Sequence, residues 1–380
     1  HLLASSFATG TLRNNTRWRL DQVESATDPL LLIDKIALIV EDKSHSLTER
    51  GLRGAPERVR AHVRDLLESP SEQSARLERV ILRAKSNDGE AIASLAPFNL
   101  PFSEVERIIR INITLDDLTV LSSEEDELKA TGWIKPELVL APTMTLADLE
   151  TVIDILGGPA FLLHYFSERQ RVQSEGHVFA DEIDFLGVYL DTGLNMGDLR
   201  EQNLRIALTG ASEPIDNYYN GLDANIEMLK PRPKLSPYFA NLVTAMEERA
   251  FPAWSLVTMD LLRSATFEEQ LKIEKALIQL KSKVEKNWED PKHECCLVIG
   301  SHPLKDTSLL VFVYPPQLAE QRKDRAAAMA AQVLDKGTSK RCVMILRDTS
   351  HWMDPYNSVF ILGSENMADV PTPASQASVS

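Results

Sequence analysis

Cysteine is scarce in this sequence. Only 3 of the 380 residues are Cys, which is too few for a disulfide framework. Cys295 and Cys296 are adjacent on a strand-like run, Cys342 lies on another, and no Cys-x-x-Cys or zinc-type spacing occurs. This pattern predicts buried, reduced thiols and a cytoplasmic protein rather than a secreted, disulfide-bonded one.

Long apolar runs are also missing. No stretch approaches the ~20 apolar residues that a membrane-spanning helix needs, so no membrane partner is expected. The chain lacks a Gly-x-x-x-x-Gly-Lys-Ser/Thr loop, which disfavours an NTPase, and a Gly-x-Ser-x-Gly elbow, which leaves no basis for a serine hydrolase. It opens at His1 rather than Met and shows no secretory signal, which is compatible with a fragment of a longer protein.

The chain as a whole has no excess of positive charge, since its formal net charge is −15. Such acidity would argue against nucleic acid as a partner, because phosphate binding draws on Lys and Arg. The acidity is unevenly distributed, however. Residues 1–113 hold 16 basic and 16 acidic residues, whereas the remaining residues hold 25 and 40. The first third of the chain therefore escapes the acidic excess of the rest.

Within this neutral third, residues 49–85 carry nine basic against six acidic residues. Two interpretations stay open for them. They are either contacts for a phosphate backbone or a solvated helix face of mixed charge, and the second is preferred for most of them. The nine are Arg50, Arg53, Arg58, Arg60, Arg64, Arg76, Arg79, Arg83 and Lys85.

Two short apolar runs, 29–33 and 36–40, flank the polar pair Asp34-Lys35. This pattern predicts a tight β-hairpin, in which the numbers of opposing residues sum to 69. Pro29 is unusual within a strand and suggests an edge strand or a bulge. A bulge there would shift the register by one residue.

In the unshifted register Asp28 faces Glu41, and Lys43 shares the face of Glu41 because side chains alternate along a strand. Two opposed carboxylates with Cβ atoms ~5 Å apart destabilise a sheet, unless a cation lies between them. Their oxygens suit a hard ion such as Mg²⁺, and the Lys43 ammonium lies beside them. The combination predicts metal-assisted hydrolysis of a phosphodiester. The alternative is a surface hairpin in which Lys43 pairs with Glu41 or Asp42.

Around the hairpin, the sequence predicts the order β-β-β-α-α-β. The predicted elements are a strand or hairpin end at 12–23, strands at 29–33 and 36–42, helices from Pro56 to Leu67 and over 71–84 with a break at Ser69-Pro70, and a strand at 105–114. Such an order is compatible with a mixed α/β fold, in which a sheet is flanked by helices.

From residue 124 the sequence becomes acidic and rich in helical periodicity. We expect a short strand at Leu138–Ala141, helices at 145–156, 159–170, 181–191, 235–248, 253–263 and 266–286, and a C-terminal α/β unit with strands at 294–300, 308–314 and 341–347 and a helix at 317–335. The predicted segments are a nuclease-like domain (1–120), an acidic helical region (121–290), a small α/β unit (291–365) and a disordered tail (366–380).

An Asp at the start of one strand and Glu-x-Lys at the end of the next, followed by a helix that carries Gln, resemble the PD-(D/E)XK nuclease superfamily. The matching residues are Asp28, Glu41, Lys43 and Gln73. The version most similar is the nuclease-related domain of bacterial proteins. The resemblance covers about residues 10–115 and implies a restriction-endonuclease-like sheet flanked by helices.

The resemblance also implies a chemistry. Mg²⁺ or Mn²⁺ would be bound by the carboxylates of Asp28 and Glu41 and by the backbone carbonyl of Asp42, while Lys43 assists the attacking water and Gln73 belongs to the site. The expected partner is nucleic acid, DNA rather than RNA, and a role in defence against foreign DNA is implied. An inactive nuclease-fold scaffold, with the acidic region binding a protein partner, remains the alternative.

Many members of the superfamily also carry a Glu on a helix before the first strand. Only His1–Phe7 corresponds to that helix here, and it contains no Glu. The missing ligand is therefore expected upstream of His1 or is lost.

Two histidines are additional candidates for a functional role. His164 and Glu168 are four residues apart on a predicted helix, which fits a second metal site or, as we prefer, a hydrogen-bonded, half-buried His. His45 follows Lys43 by two residues and would contact substrate or be an ordinary loop residue.

Overall fold

A computed structural model of the protein describes residues 2–44, 46–175, 178–196, 205–289, 295–299, 307–336 and 339–363. The chain forms two compact units that divide between Pro233 and Lys234. Both contain a sheet with helices packed on it. The predicted mixed α/β class is thereby confirmed. Among the described residues, no helix combines the length and apolarity needed to cross a membrane.

The first unit contains nine strands and ten α-helices in its described residues. The strands are β1 (Thr11–Arg13), β2 (Thr16–Leu20), β3 (Val23–Thr27), β4 (Leu30–Ile33), β5 (Ile36–Lys43), β6 (Arg107–Thr114), β7 (Thr143–Thr145), β8 (Val178–Phe179) and β9 (Ile206–Ala207). The helices are α1 (Leu2–Ser6), α2 (Glu49–Leu52), α3 (Pro56–Val63), α4 (Ser69–Lys85), α5 (Gly89–Leu95), α6 (Glu125–Ala130), α7 (Leu146–Leu156), α8 (Pro159–Glu175), α9 (Glu182–Thr192) and α10 (Glu213–Asp223).

Five strands of this unit form one mixed sheet in the order β1-β4-β5-β6-β7. Strands β1, β4 and β5 are antiparallel neighbours, whereas β5, β6 and β7 run parallel. The connection from β5 to β6 passes through α3, α4 and α5, as a parallel pair requires a crossover. The carboxyl ends of β5 and β6 therefore lie side by side.

The hairpin of β4 and β5 has the predicted register. Leu30 pairs with Ile39 and Ile33 with Ile36, so opposing numbers sum to 69 as expected from the sequence. Asp34 has a φ of 50°, a left-handed conformation that Asp adopts more readily than most residues, and it makes the tight turn possible.

The concern about Pro29 was wrong. β4 lies between β1 and β5 rather than at the sheet edge, and the proline introduces no bulge, because the amide of Val40 donates to its carbonyl at 2.9 Å. Pro29 immediately precedes the first residue of β4, a position where its missing N–H is tolerated.

Alternation along the hairpin separates two apolar faces. On one face Leu30, Leu32 and Ile39 pack against α4 and α5 through side chains such as Leu77 and Ile81. The opposite face of the sheet is covered by other helices, since α8 packs on β6 and α7 packs on β6 and β7. The alternation of side chains therefore also determines on which face of the sheet the polar residues at the strand ends lie.

Two local predictions were wrong. Residues 56–85 do not break at Ser69-Pro70, because the π-helical turn Arg64–Glu68 joins α3 to α4. The wider turn accommodates a proline that has no amide to donate. Leu138–Ala141 is not a strand, and the fifth strand of the sheet is Thr143–Thr145 instead.

The second unit has a four-stranded sheet in the order β10 (Cys296–Ile299), β11 (Thr307–Tyr314), β12 (Arg341–Asp348) and β13 (Ser358–Gly363). β11 and β12 are parallel, and each has an antiparallel outer neighbour. One face is covered by three helices, α11 (Pro237–Arg249), α12 (Trp254–Ser264) and α13 (Phe267–Asn287), and the other by α14 (Arg322–Lys336).

This division differs from the predicted segment boundaries. The helices over 237–287 were grouped with the acidic region 121–290, yet their apolar faces pack on the strands of the C-terminal sheet. The sheet of the first unit likewise continues past residue 120, through β7. The predicted tail, 366–380, lies outside the described residues.

Candidate functional site

Three of the predicted site residues meet at the open end of the β4–β5 hairpin. Glu41 and Lys43 lie on one face of β5, and Asp28 lies opposite Glu41 in the register of the hairpin. The Nζ atom of Lys43 is 3.5 Å from Oδ2 of Asp28 and 3.3 Å from Oε2 of Glu41. One ammonium group thus contacts two carboxylates, which places the charges where the sequence pattern predicts them.

The Glu41 carboxyl is the buried member of this cluster, with only 2% of its surface exposed. Burial disfavours its charged form and raises its pKa to about 8, with a further rise from the charge of Asp28 and an opposing effect of Lys43. The carboxyl is therefore largely protonated at neutral pH when Lys43 is its only cationic partner. A cation bound beside the Glu41 carboxyl would favour its ionised form and lower its pKa.

Asp42 contributes its backbone to this cluster. Its amide N–H donates to Oδ2 of Asp28 at 3.2 Å, and its carboxyl lies within the influence of Asp28 and Lys43. Asp42 also lines an apolar cavity of about 460 Å³ together with Leu31, Val40 and Leu149. Partial burial, with the charge of Asp28, raises the pKa of the Asp42 carboxyl.

Gln73 is exposed on α4 and, within the described ranges, forms no hydrogen bond with Asp28, Glu41 or Lys43. Its position is still close to the hairpin. Arg76, one helical turn later, donates from Nη1 to the hydroxyl of Ser25 at 3.0 Å, so this side of α4 faces β3, the strand that leads into Asp28. Among the described residues, Gln73 and Arg76 thus form no hydrogen bond with the cluster.

Several of the basic residues in 49–85 have partners within the protein. Arg83 contacts Asp88 at 2.7 Å, Arg64 contacts Asp65 at 3.0 Å, and Arg60 donates to the carbonyl of Gly132. These contacts agree with the preferred interpretation of a mixed, solvated helix face. Arg76 contacts Ser25 of β3, the strand that precedes Asp28.

Sequence reasoning missed a polar group beneath α4. Asn112 of β6 is the register partner of Glu41 and is 0% exposed. Its Nδ2 atom donates to the hydroxyls of Ser71 on α4 and Thr143 on β7, at 3.1 Å in both cases. The signal in the sequence was an Asn inside the apolar strand run 105–114, which was treated as structural only.

The His164 and Glu168 pair has protein partners. Nδ1 of His164 lies 3.1 Å from the hydroxyl of Tyr189, and Glu168 accepts from Arg171 at 2.7 Å. Both are buried in α8, which agrees with the preferred structural interpretation of His164, although the histidine is more buried than expected. His45 lies outside the described residues.

Within the described part of the chain, no group of three or more His, Cys, Asp or Glu side chains is arranged to hold a metal ion. No family model, curated protein or solved structure matches this chain.

Proposed function

We propose that the first unit is a metal-dependent nuclease of the PD-(D/E)XK type, which hydrolyses phosphodiester bonds in nucleic acid. The observation that carries the proposal is the contact of Lys43 with both Asp28 and Glu41 at the open end of the hairpin. Two carboxylates and a lysine on one face provide negative oxygens for a cation and a positive group for a phosphate or a water.

The residues present fit Mg²⁺ or Mn²⁺. The buried Glu41 carboxyl lies beside the charge of Asp28, which disfavours its ionisation, and a divalent cation would remove that penalty. The cation would be held by the carboxylates of Asp28 and Glu41 with the carbonyl of Asp42. When bound, it would polarise the phosphoryl group and acidify a water.

Lys43 has two tasks in this proposal. Its ammonium holds the two carboxylates together without a cation, and with substrate bound it donates to the attacking water or to a phosphate oxygen. Its flexible stem and three donors allow such a change of partner. Because α4 packs on β5, the strand that carries Glu41 and Lys43, we expect its side chains Gln73 and Arg76 to contact the phosphate backbone. Contacts of this kind give little sequence specificity. DNA is the preferred substrate class, and defence against foreign DNA the proposed role.

The test is cleavage of plasmid and single-stranded substrates with Mg²⁺, with Mn²⁺ and with a chelator. Lys43→Ala and Glu41→Ala should each lower the rate by about 10²–10³-fold, the range for loss of a group that stabilises charge in the transition state. The matched controls are Lys35→Ala and Glu104→Ala, since these two residues form an ion pair at the turn end of the same hairpin. Equal rates for the parent and the Lys43 and Glu41 variants would place the activity elsewhere.

One observation favours a second candidate, an inactive scaffold that serves protein interaction. Lys43 already occupies the space beside both carboxyl groups, and the described residues offer no third acidic, His or Cys ligand. In that case the parent would neither cleave nucleic acid nor bind Mn²⁺, and Lys43→Ala would change only the stability of the fold.

A further inference from the structure

The two polar atoms of the Asn112 side chain differ in their hydrogen bonding. Nδ2 donates to the hydroxyls of Ser71 and Thr143, whereas Oδ1 has no hydrogen-bond partner among the described residues. The residue is 0% exposed. A buried amide oxygen without a partner is unfavourable, so this atom needs an explanation.

The contacts define the orientation of the amide. The hydroxyl of Thr143 donates to the carbonyl of Ala141 at 3.2 Å, and its oxygen accepts from Nδ2 of Asn112. The same Nδ2 atom donates to the hydroxyl of Ser71. The nitrogen is thus the end of the amide that has two partners.

The unpartnered oxygen is directed toward the proposed site. Thr143 belongs to β7, on one side of β6, and Glu41 belongs to β5, on the other side. Because Nδ2 takes the β7 branch of the planar amide, Oδ1 is left for the β5 side. Asn112 and Glu41 are register partners on one face of adjacent strands, whose backbones are ~4.8 Å apart.

We propose that Oδ1 of Asn112 is the third side-chain oxygen of a divalent-cation site formed with Asp28 and Glu41. The proposal depends on the proposed function for the existence of the cation. Amide oxygens are suitable ligands for hard cations, and a neutral ligand adds no repulsion between carboxylates. It also supplies a ligand where no third His, Cys, Asp or Glu is available among the described residues.

Ser71 and Thr143 are positioning residues in this arrangement, because they hold the amide by its nitrogen. The hydroxyl of Ser71 also accepts from the amide of Ala141 at 3.0 Å, which ties the start of α4 to the segment before β7. The ligand oxygen would thus be held by a network that exists before any cation binds.

The test measures Mn²⁺ binding to the full chain, by electron paramagnetic resonance of the free ion and by calorimetry, without reference to cleavage. Asn112→Ala should weaken Mn²⁺ binding at least about tenfold, which corresponds to one lost ligand interaction. Asn112→Asp, which keeps an oxygen in place, should stay within about tenfold of the parent. Far-UV circular dichroism checks the fold of each variant, and Asn112→Ser replaces the alanine variant if that one is unfolded.

Gln173→Ala is the matched control. Gln173 is also a buried amide with one unpartnered atom among the described residues, Nε2, and it lies on α8, where its Oε1 accepts from Arg169. Its loss should lower the melting temperature and leave Mn²⁺ affinity unchanged.

The outcomes separate the two proposals. Parent-like Mn²⁺ affinity of Asn112→Ala, or equal weakening in Asn112→Ala and Asn112→Asp, would overturn the role of Asn112 while leaving metal-dependent cleavage intact. Binding of Mn²⁺ that depends on Asn112 and Glu41, without cleavage by the parent, would support the cation site and reject the nuclease. Absence of any Mn²⁺ binding that depends on Glu41 would reject both.

Discussion

The backbone amide of Asp42 donates to the Oδ2 atom of Asp28 at 3.2 Å. The side chain of Asp28, just before β4, thus provides a hydrogen-bond acceptor for the end of β5. The regular pairing of β4 ends before this point. The same Oδ2 atom accepts from Lys43. Asp28 therefore serves the hairpin structurally, whatever chemistry its carboxylate performs.

This double role predicts different effects for two substitutions. Asp28→Ala removes the acceptor and should lower the free energy of unfolding by about 1–2 kcal/mol, in the range of a hydrogen bond to a charged group. Asp28→Asn keeps an acceptor for the Asp42 amide and should cost less than about 1 kcal/mol. Urea unfolding measures both. In the proposed nuclease both variants lose cleavage, so an active Asp28→Asn protein would contradict the role of Asp28 as a metal ligand.

A second, deeper ion pair joins α4 to β6. Arg110 of β6 is 4% exposed, contacts Glu78 at 2.9 Å and donates to the carbonyls of Ser71 and Val139. Burial lowers the pKa of Arg110 and the charge of Glu78 opposes that effect. Glu78 thus stabilises a buried cation that ties α4 to the strand behind the site.

Removing Glu78 should therefore be costly. Glu78→Ala removes the carboxylate in contact with the buried guanidinium and leaves Glu125 as its remaining acidic neighbour, and we expect a loss of about 3 kcal/mol in the free energy of unfolding. Glu72 of the same helix is the control, because it pairs with Lys135 at the surface, and Glu72→Ala should change the stability by less than about 1 kcal/mol. Urea unfolding at neutral pH measures the stability of both variants. Equal losses for the two variants would mean that the burial of Arg110 does not determine the cost of removing Glu78.

The three cysteines differ in their accessibility. Cys342 is buried, whereas Cys295 and Cys296 are half-buried, and none is in a disulfide. The prediction that all three thiols are buried is thus confirmed for Cys342 and holds only in part for Cys295 and Cys296. Burial raises the pKa of Cys342 to about 12 and also raises that of Cys295.

Alkylation should reveal this difference. In the native protein Cys342 should react with iodoacetamide more than about a hundredfold slower than in urea, because both its thiolate fraction and its access are reduced. Cys295 should keep a larger share of its unfolded-state rate. Mass spectrometry of the tryptic peptides reports each site. Comparable native labelling of Cys342 and Cys295 would contradict the packing of β12 between its neighbours.

The hairpin could be predicted because its information is local. Two apolar runs of matching length, a polar pair with an Asp that tolerates a positive φ, and strict alternation determine which residues face each other. This local pattern was sufficient to place Asp28, Glu41 and Lys43 on one face. Pro29 was overestimated as a disturbance, because a proline just before a strand loses no ladder hydrogen bond.

Long-range features could not be predicted in the same way. The three residues of β7 are too few to show a periodic pattern. The hydrogen bonds of Asn112 could not be predicted either, because their acceptors, Ser71 and Thr143, lie in distant segments of the sequence. The unit boundary at 233 was missed for a similar reason. Charge composition describes the solvent-facing side of the helices over 237–287, which hold seven acidic and seven basic residues, whereas the apolar side decides which sheet they pack on.

The raised pKa of Glu41 leads to a dependence of stability on pH. Its folded-state pKa is about 8, above the ordinary value of 4.5, so between these values the folded state holds a proton that the unfolded state has released. Stability from this group is fully present below pH 4.5 and falls as pH rises, by at most about 1.4 kcal/mol per pH unit. Above the folded-state pKa the decline ends.

Glu41→Gln isolates this contribution, because the amide has the same shape and does not titrate. The metal-free parent should lose stability relative to this variant as pH rises from 6 toward 8, the upper end of the window set by the pKa of Glu41. Urea unfolding of both proteins at a series of pH values gives the difference. With saturating Mg²⁺, a cation at the proposed site would keep the carboxylate ionised and flatten the curve of the parent. Parallel metal-free curves for parent and variant would show that Glu41 is ionised in the folded protein, with Lys43 alone sufficient to hold its charge.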